Sequence, residues 1–393
     1  MTEQGTEKES GLAALGKRAV VAVARRLAAR RAGAAVEPPT RILVIDLDNM
    51  GDLLLATPAI RALRRHFPGA VLDALVAGYA APVLRGNPHV DNILTCDKKI
   101  VEAPLRERAA LAWKLRRRRY DLGVILEAHW GYAGFAALLL ALAGVPRRIG
   151  RDLGKHRDLL TAGAPIRQQH WIESYLEVVA LARAAPDGDQ MEFPLRPADE
   201  AALETWWRER GLVRSAPIVL FPGGTQHLIS RRWGLEGFAA VGDALARAWE
   251  APVVVIGGTA EAELAAAVVD RMKAPAVSAA GSLSLGATGA LLRRCRLFIT
   301  NDSGPLHLAA AVGAPTLGIF GPTDPAIFGP RGVPHEIVRV PLPCSPCIRV
   351  GDFPDCPIVP RELCLLSVTP AMVLEAAERL LARTSGAAGG VRR

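Results

Sequence analysis

Short apolar runs separated by polar turns set the rhythm of the chain from residue 41 onward. Ile42–Ile45, Val71–Val76, Asn92–Thr95 and Leu122–Leu126 have the length and composition of strands. Between the first two, Leu53–His66 follows helical spacing, and Leu105–Arg119 predicts another helix ahead of Leu122. The longest apolar run, Ala133–Val145, is stopped by Pro146 and predicts a buried helix. It falls short of the roughly 18 apolar residues that a membrane span requires. A second series follows with Ile218–Phe221, Val253–Ile256, Leu297–Thr300 and Thr316–Phe320. Strands that alternate with helices, several of them apolar throughout, predict parallel sheets covered on both faces.

The expected fold class is therefore α/β, with two Rossmann-like parallel-sheet domains facing a central cleft. A length of 393 residues suits two such domains. We divide the chain into a basic extension (1–38), a first domain (39–185), a linker (186–198), a second domain (199–368) and a closing helix with tail (369–393). The linker lies within Ala184–Pro197, whose AAPDGDQMEFPLRP is rich in turn formers. In the extension, Lys17, Arg18, Arg25, Arg26, Arg30 and Arg31 accompany a thin stripe of Leu12, Leu15, Ala19, Val23 and Leu27. That pattern fits either a basic amphipathic helix on an anionic membrane surface or a solvated tail. A second basic run, Arg106, Arg108, Lys114 and Arg116–Arg119, fits either a solvated face or a positive surface toward anionic lipid or a phosphorylated acceptor.

The net charge is +9, yet aromatic residues are only 5% and no recognition module occurs, which argues against nucleic acid as a partner. The start, MTEQGTEKES, is acidic and polar, unlike a secretory signal, so a cytoplasmic protein is expected. Six cysteines in a chain this long do not make a disulfide scaffold.

Open α/β sheets bind ligands beyond the carboxyl ends of their strands, so the chemistry belongs in the loops after the apolar runs. In Asp46–Asp52 (DLDNMGD), Asp52 opens the following helix, either as a cap or as a general base at the cleft edge. In Phe221–Trp233, a Gly pair is followed by Thr225, Arg231 and Arg232, a set that suits a diphosphate or else a solvated surface turn. Glu261 and Glu263 open a helix after Val253–Ile256, where they could bond a ribose or simply complement the helix dipole. No G-x-G-x-x-G occurs, which weighs against a dinucleotide oxidoreductase. In Thr300–His307 (TNDSGPLH), Asp302, Ser303, Gly304 and Pro305 open a helix whose free amides can hold an anion, with His307 one turn in. Finally Cys344, Cys347, Cys356 and Cys364 crowd one Pro-rich stretch; they are either a structural Zn or Fe site or four free thiols.

Taken in order, these segments make a recognisable series. ILVIDLDNMGDLLLATPAIRALRRHFPGA, FPGG followed by SRRWGLEGFAAVGDAL, FITNDSGPLHLAAAVGAPTLGIFGPTDP and the cysteine segment resemble glycosyltransferase family 9, the lipopolysaccharide heptosyltransferase-like family. The resemblance covers about residues 41–383 and implies the two-domain GT-B fold and an inverting transferase. It implies that Asp52 deprotonates the acceptor hydroxyl. Asp302, Ser303, Gly304, Pro305 and His307 would line the donor diphosphate, with Thr225, Arg231 and Arg232 beside it and Glu261 or Glu263 toward the ribose. The family commonly has Lys where Arg231 stands, so the fork of the guanidinium departs from its pattern. Members that glycosylate proteins bind iron through a similar cysteine set.

The resemblance further implies a nucleotide-sugar donor, ADP-heptose, and an anionic glycolipid acceptor such as the lipopolysaccharide inner core. No metal would be needed for catalysis, and attachment would be peripheral on the inner face of the cytoplasmic membrane. Another nucleotide sugar, a protein acceptor, or a non-catalytic nucleotide-sugar-binding protein are its alternatives. By the same analogy, the helix Thr369–Arg383 would cross back onto the first domain.

Overall fold

The computed structural model describes residues 20–26, 29, 37–127, 130–152, 157–212, 216–224, 231–348, 356, 358, 360 and 362–388. Six strands build the first sheet: β1 (Arg41–Asp46), β2 (Val71–Ala77), β3 (Asn92–Cys96), β4 (Leu122–Ile125), β5 (Arg147–Arg151) and β6 (Ala162–Ala164). All pair in parallel, in the order β3-β2-β1-β4-β5-β6. Helices α1 (Met50–His66), α2 (Leu105–Arg117), α3 (Trp130–Ala143) and α4 (Trp171–Ala180) accompany them. After α5 (Pro197–Glu209), the second sheet comprises β7 (Ile218–Phe221), β8 (Val253–Val255), β9 (Ala276–Ser278), β10 (Leu297–Asn301), β11 (Thr316–Ile319) and β12 (His335–Val338). Its order is β12-β11-β10-β7-β8-β9, so each half repeats the same topology. Helices α6 (Leu235–Trp249), α7 (Ala262–Arg271), α8 (Leu285–Arg294), α9 (Gly304–Ala311), α10 (Pro325–Phe328), α11 (Leu363–Leu366) and α12 (Pro370–Ala388) complete it. The order reverses between β1 and β4 in one half and between β7 and β10 in the other, and such reversals open the crevice where ligands bind.

The central strands are buried because each feeds two apolar layers. In β1, Ile42 and Val44 join one layer while Leu43 and Ile45 join the other. In β7, Val219 and Phe221 alternate in the same way with Ile218 and Leu220. Strand β5 escaped the apolar pattern because its sequence is RRIGR. Arg148 is nonetheless buried there, and its guanidinium donates to the carbonyls of Leu159 (2.6 Å) and Pro146 (3.1 Å), which satisfies the charge locally.

The closing helix departs from expectation. Helix α12 does not cross back: over its described length it packs on the second sheet, against α6, β11 and β12. Val373, Ala376, Ala377, Leu380 and Leu381 form its apolar stripe in that half's own layer. Arg379 and Arg383 pair with Glu336 of β12. A stripe at three- and four-residue spacing on one face leaves no second apolar face for the other domain.

The connection between the halves is held down by Arg61 of α1, which is 7% exposed. It donates to both carboxylate oxygens of Asp187 (3.0 and 3.1 Å), to the carbonyl of Gln190 (2.8 Å) and to Glu192 (2.9 Å). Met191 and Phe193 are buried beside it. Among the described residues, no helix is long and apolar enough to cross a membrane. Removing one partner of a buried ion cluster strands the others, so Arg61→Met is expected to lower unfolding free energy by about 3 kcal/mol in urea titration. A loss below about 1 kcal/mol would show that the linker is held by its apolar side chains instead.

Candidate active site

The two switch points face each other, and two glycines meet there. A Cβ on Gly51 would lie 3.0 Å from the Cα of Gly304 and 3.1 Å from Cδ2 of His307. Only glycine at position 51 lets the first turn of α1 meet the first turn of α9. Two helix N-termini, each carrying free amides and a partial positive charge, thereby converge from opposite halves.

Asp52 lies in the first turn of α1 and is half-buried. Its carboxylate accepts from the backbone N–H of Asn49 (3.2 Å) and from Asn49 Nδ2 (3.3 Å), so the capping role is real. The same carboxylate acts electrostatically on His307 across the cleft. His307 is buried, and its Nδ1 has no hydrogen-bond partner among the described residues. Burial, reinforced by the nearby charges of His170 and Arg231 against the opposing pull of Asp52, lowers its pKa to about 4. At neutral pH it is an uncharged imidazole with one ring nitrogen to offer.

On the second half, Asn301 ties the loops together. Its Nδ2 donates to the carbonyls of Pro222 (2.9 Å) and Gly223 (3.0 Å), while its Oδ1 accepts from the N–H of Trp233 (2.9 Å). Arg231 Nη1 bonds to Asp302 Oδ2 at 3.1 Å, with both side chains largely buried. The Nε of Arg231 and of Arg232 are buried without a partner among the described residues, and Arg232 Nη2 donates to the carbonyl of Gly224 (2.7 Å). Ser303 precedes α9 in extended conformation, and its hydroxyl turns back to the carbonyl of Asn301 (3.1 Å) rather than capping the helix. No side chain caps α9: the Leu306 N–H turns to the carbonyl of Ser303 (3.0 Å), Pro305 has no N–H to offer, and the N–H of Gly304 opens the helix.

Glu261 packs over Gly223, where an added Cβ would come within 2.6 Å of its Cγ. Its carboxylate accepts from the N–H of Gly258 (2.9 Å). Glu263 stands apart, exposed on the first turn of α7. Thr225 lies outside the described residues. The structure therefore gathers Asp52, Arg231, Asp302, Ser303, Gly304, Pro305 and His307 at one point, with Arg232 and Glu261 on the adjoining loops.

One group was missed. Asp46, Asp48 and Glu127, all buried, bring carboxylate oxygens within 4.8 Å of one another at the ends of β1 and β4. Glu127 accepts from the N–H of Leu47 (2.9 Å) and Asp46 from that of Asp48 (3.0 Å). Burial, then mutual repulsion, holds Asp46 and Glu127 well above the ordinary carboxylate range, favouring the neutral acid. The signal was available, since Glu127 directly follows an apolar strand near its carboxyl end. Outside this group, Tyr79 donates to the carbonyl of Asp48 and to Asn49 Oδ1 (both 3.1 Å). Lys98 donates to Asn49 Oδ1 (3.2 Å) and lies 4.7 Å from the centre of the Tyr132 ring. A cavity of about 1070 Å³ opens here, lined by Gly78, Tyr79, Lys98, Lys99, Glu102 and Tyr132.

The four clustered cysteines are all unbridged and share a cavity of about 30 Å³. Cys347 N–H donates to the carbonyl of Pro322 (2.9 Å), and Cys364 Sγ would lie 3.1 Å from a Cβ on Gly321. Cys356 Sγ accepts from the N–H of Glu362 (3.3 Å). The turn after β11 thus carries the cluster on its back.

Comparison with known proteins gives this geometry a context. A profile of Glycosyltransferase family 9 (heptosyltransferase) matches residues 108–356. Lipopolysaccharide heptosyltransferase 2 of Escherichia coli strain K12 is 26% identical over 353 residues, which cover 87% of this chain and 98% of that protein. Among solved structures, a family 9 glycosyl transferase from Veillonella parvula aligns with a TM-score of 0.74 at 23% identity, covering 89% of this chain and 99% of that one. The E. coli ADP-heptose lipopolysaccharide heptosyltransferase II aligns with a TM-score of 0.70 at 22% identity, over 88% and 99%.

His307 also makes stability depend on pH. The unfolded imidazole takes a proton near 6.5, whereas the folded one resists until about 4, so the contribution of this group is fully present above 6.5 and is lost as pH drops through that window. Replacing His307 with Asn is expected to flatten the slope of unfolding free energy between pH 4 and 6.5 by close to one proton. Parallel slopes in urea titrations of the two proteins would place the resistance to protonation elsewhere.

Proposed function

The chain belongs to glycosyltransferase family 9, and from that premise we propose that it transfers a heptose from ADP-heptose to a lipid-linked glycan of the lipopolysaccharide inner-core type. The observation that carries this reading is the meeting of Asp52, on the first half, with the amides of α9 and Arg231 on the second. One side offers a base and the other an anion site, which is what displacement at an anomeric carbon requires.

In this mechanism the diphosphate of the donor lies on the N-terminus of α9 with the free Nε of Arg231 toward it, and neutral His307 donates or accepts one bond without adding charge. Asp302 holds the Arg231 fork in place. The acceptor enters from the cavity beside Tyr79 and Lys98. Asp52 takes the acceptor's hydroxyl proton as that oxygen bonds to the anomeric carbon and the bond to the phosphate oxygen breaks, so that ADP leaves and the configuration inverts. Asn49, already bonded to Asp52, keeps the carboxylate oriented. The charge that develops on the leaving diphosphate falls on amides and guanidinium groups. The transfer takes place at the inner face of the cytoplasmic membrane, where a lipid-linked acceptor would be found.

We further propose that the cysteine cluster takes a structural metal ion, which requires its thiols to draw closer together than they stand in this structure. Four soft donors line one small cavity, and Gly321 and Pro322, which anchor it, belong to the turn after β11. Cys344, Cys347, Cys356 and Cys364 would hold Zn or Fe there and fix the turn; the ion takes no part in the transfer.

Two measurements test these readings. Asp52→Asn should lower kcat by about 10²–10⁴-fold while ADP still raises the thermal midpoint as it does for the native protein. Turnover within about tenfold of native would remove Asp52 from the role of base. Protein purified without chelator should carry about one equivalent of Zn or Fe by elemental analysis, lost in a Cys344→Ser/Cys347→Ser variant; equal metal content in both would dismiss the site.

A further inference from the structure

Helix α2 carries a surface that the transfer chemistry does not use. Ala112 and Leu115 bury its inner side. The outer side presents Leu105, Arg106, Trp113, Lys114, Arg116 and Arg117, all exposed. Trp113 is 57% exposed, and the Arg117 guanidinium lies 4.8 Å from its ring centre. Glu107 is the single acid of the helix, against five bases. An indole held open to solvent among guanidinium groups costs apolar exposure that a soluble face would avoid. At a bilayer interface, the indole settles among headgroups while the bases meet anionic phosphates.

Two further observations place this face. The helical stretch 20–26 buries Ala24 in the same layer as Ala112 and Leu115, with Val23 and Arg26 exposed. The start of α2 adjoins the acceptor-side cavity: Arg108 Nη1 donates to the carbonyl of Val101 (3.3 Å), and Val101 and Glu102 line that cavity. Trp113 is eight residues along the helix from Leu105, about 12 Å at 1.5 Å per residue.

We propose that the outer face of α2, centred on Trp113, docks on an anionic phospholipid bilayer and so brings the cavity of Tyr79 and Lys98 to the membrane surface. Charge complementarity selects anionic lipid: each base near such a surface strengthens attachment about fivefold. The inference rests on the lipid-linked acceptor proposed above, which supplies the reason for docking.

The test uses the full chain in flotation with phosphatidylcholine vesicles, with and without phosphatidylglycerol. The native protein should float only with the anionic vesicles, release as salt rises, and show a blue shift of tryptophan emission. Trp113→Ala should weaken binding about tenfold, and Arg116→Glu/Arg117→Glu more than about thirtyfold, with unchanged thermal midpoints. Both variants should transfer heptose at native rate to a water-soluble, deacylated acceptor, yet slow when the acceptor is embedded in vesicles. Variants that float like native protein, binding to neutral vesicles, or binding to lipopolysaccharide micelles but not phospholipid would each overturn the proposal. No transfer by native protein to the soluble acceptor would instead defeat the functional reading, whatever the flotation result.

Discussion

The contact between Gly51 and Gly304 is the constraint on which the site depends. A Cβ on Gly51 would press to 3.0 Å from the Cα of Gly304, and each glycine lies in the first turn of its helix. Each helix brings the positive end of its dipole. Bringing two such ends together is unfavourable until something negative lies between or beside them. The Asp52 carboxylate supplies part of that charge, and a diphosphate would supply the rest. The halves are thus held in an arrangement that an anionic ligand completes.

Charge is then graded across the cleft. On the first half, Asp46, Asp48, Glu127 and Asp52 gather at the ends of β1 and β4. On the second, Arg231 and Arg232 flank the start of α9, with one guanidinium nitrogen of each still open. Burial pushes Asp46 and Glu127 toward neutrality, which spares the site a dense negative charge beside Asp52. His307, uncharged between the two sides, adds a hydrogen-bonding group without disturbing that gradient.

Much of this was legible in the residues. The strands that carry the site, β1, β4, β7 and β10, are apolar on both faces, so pattern alone marked them and the loops after them. Asp52, Arg231 and Asp302 were found by that route. What escaped did so for physical reasons. Arg148 makes β5 look polar because its charge is satisfied by nearby carbonyls, a compensation invisible in one dimension. The carboxylate trio requires β1 and β4 to be neighbours, and sequence order gives no hint that strands two helices apart lie side by side. Helix α12 was misplaced because its analogy pointed across the cleft, while its own apolar stripe, Val373 to Leu381, already matched the sheet it follows.

The repeated strand order carries a consequence of a different kind. Each half reverses direction once and opens its own crevice, so the two sides of the cleft are built by separate stretches of chain. The loops after β4 and after β8 belong to different sheets, so a change in one leaves the strands that carry the other in place. Inheritance can therefore rework one specificity at a time. A lineage facing new surface sugars has a scaffold in which half of the chemistry stays in working order while the other half is revised.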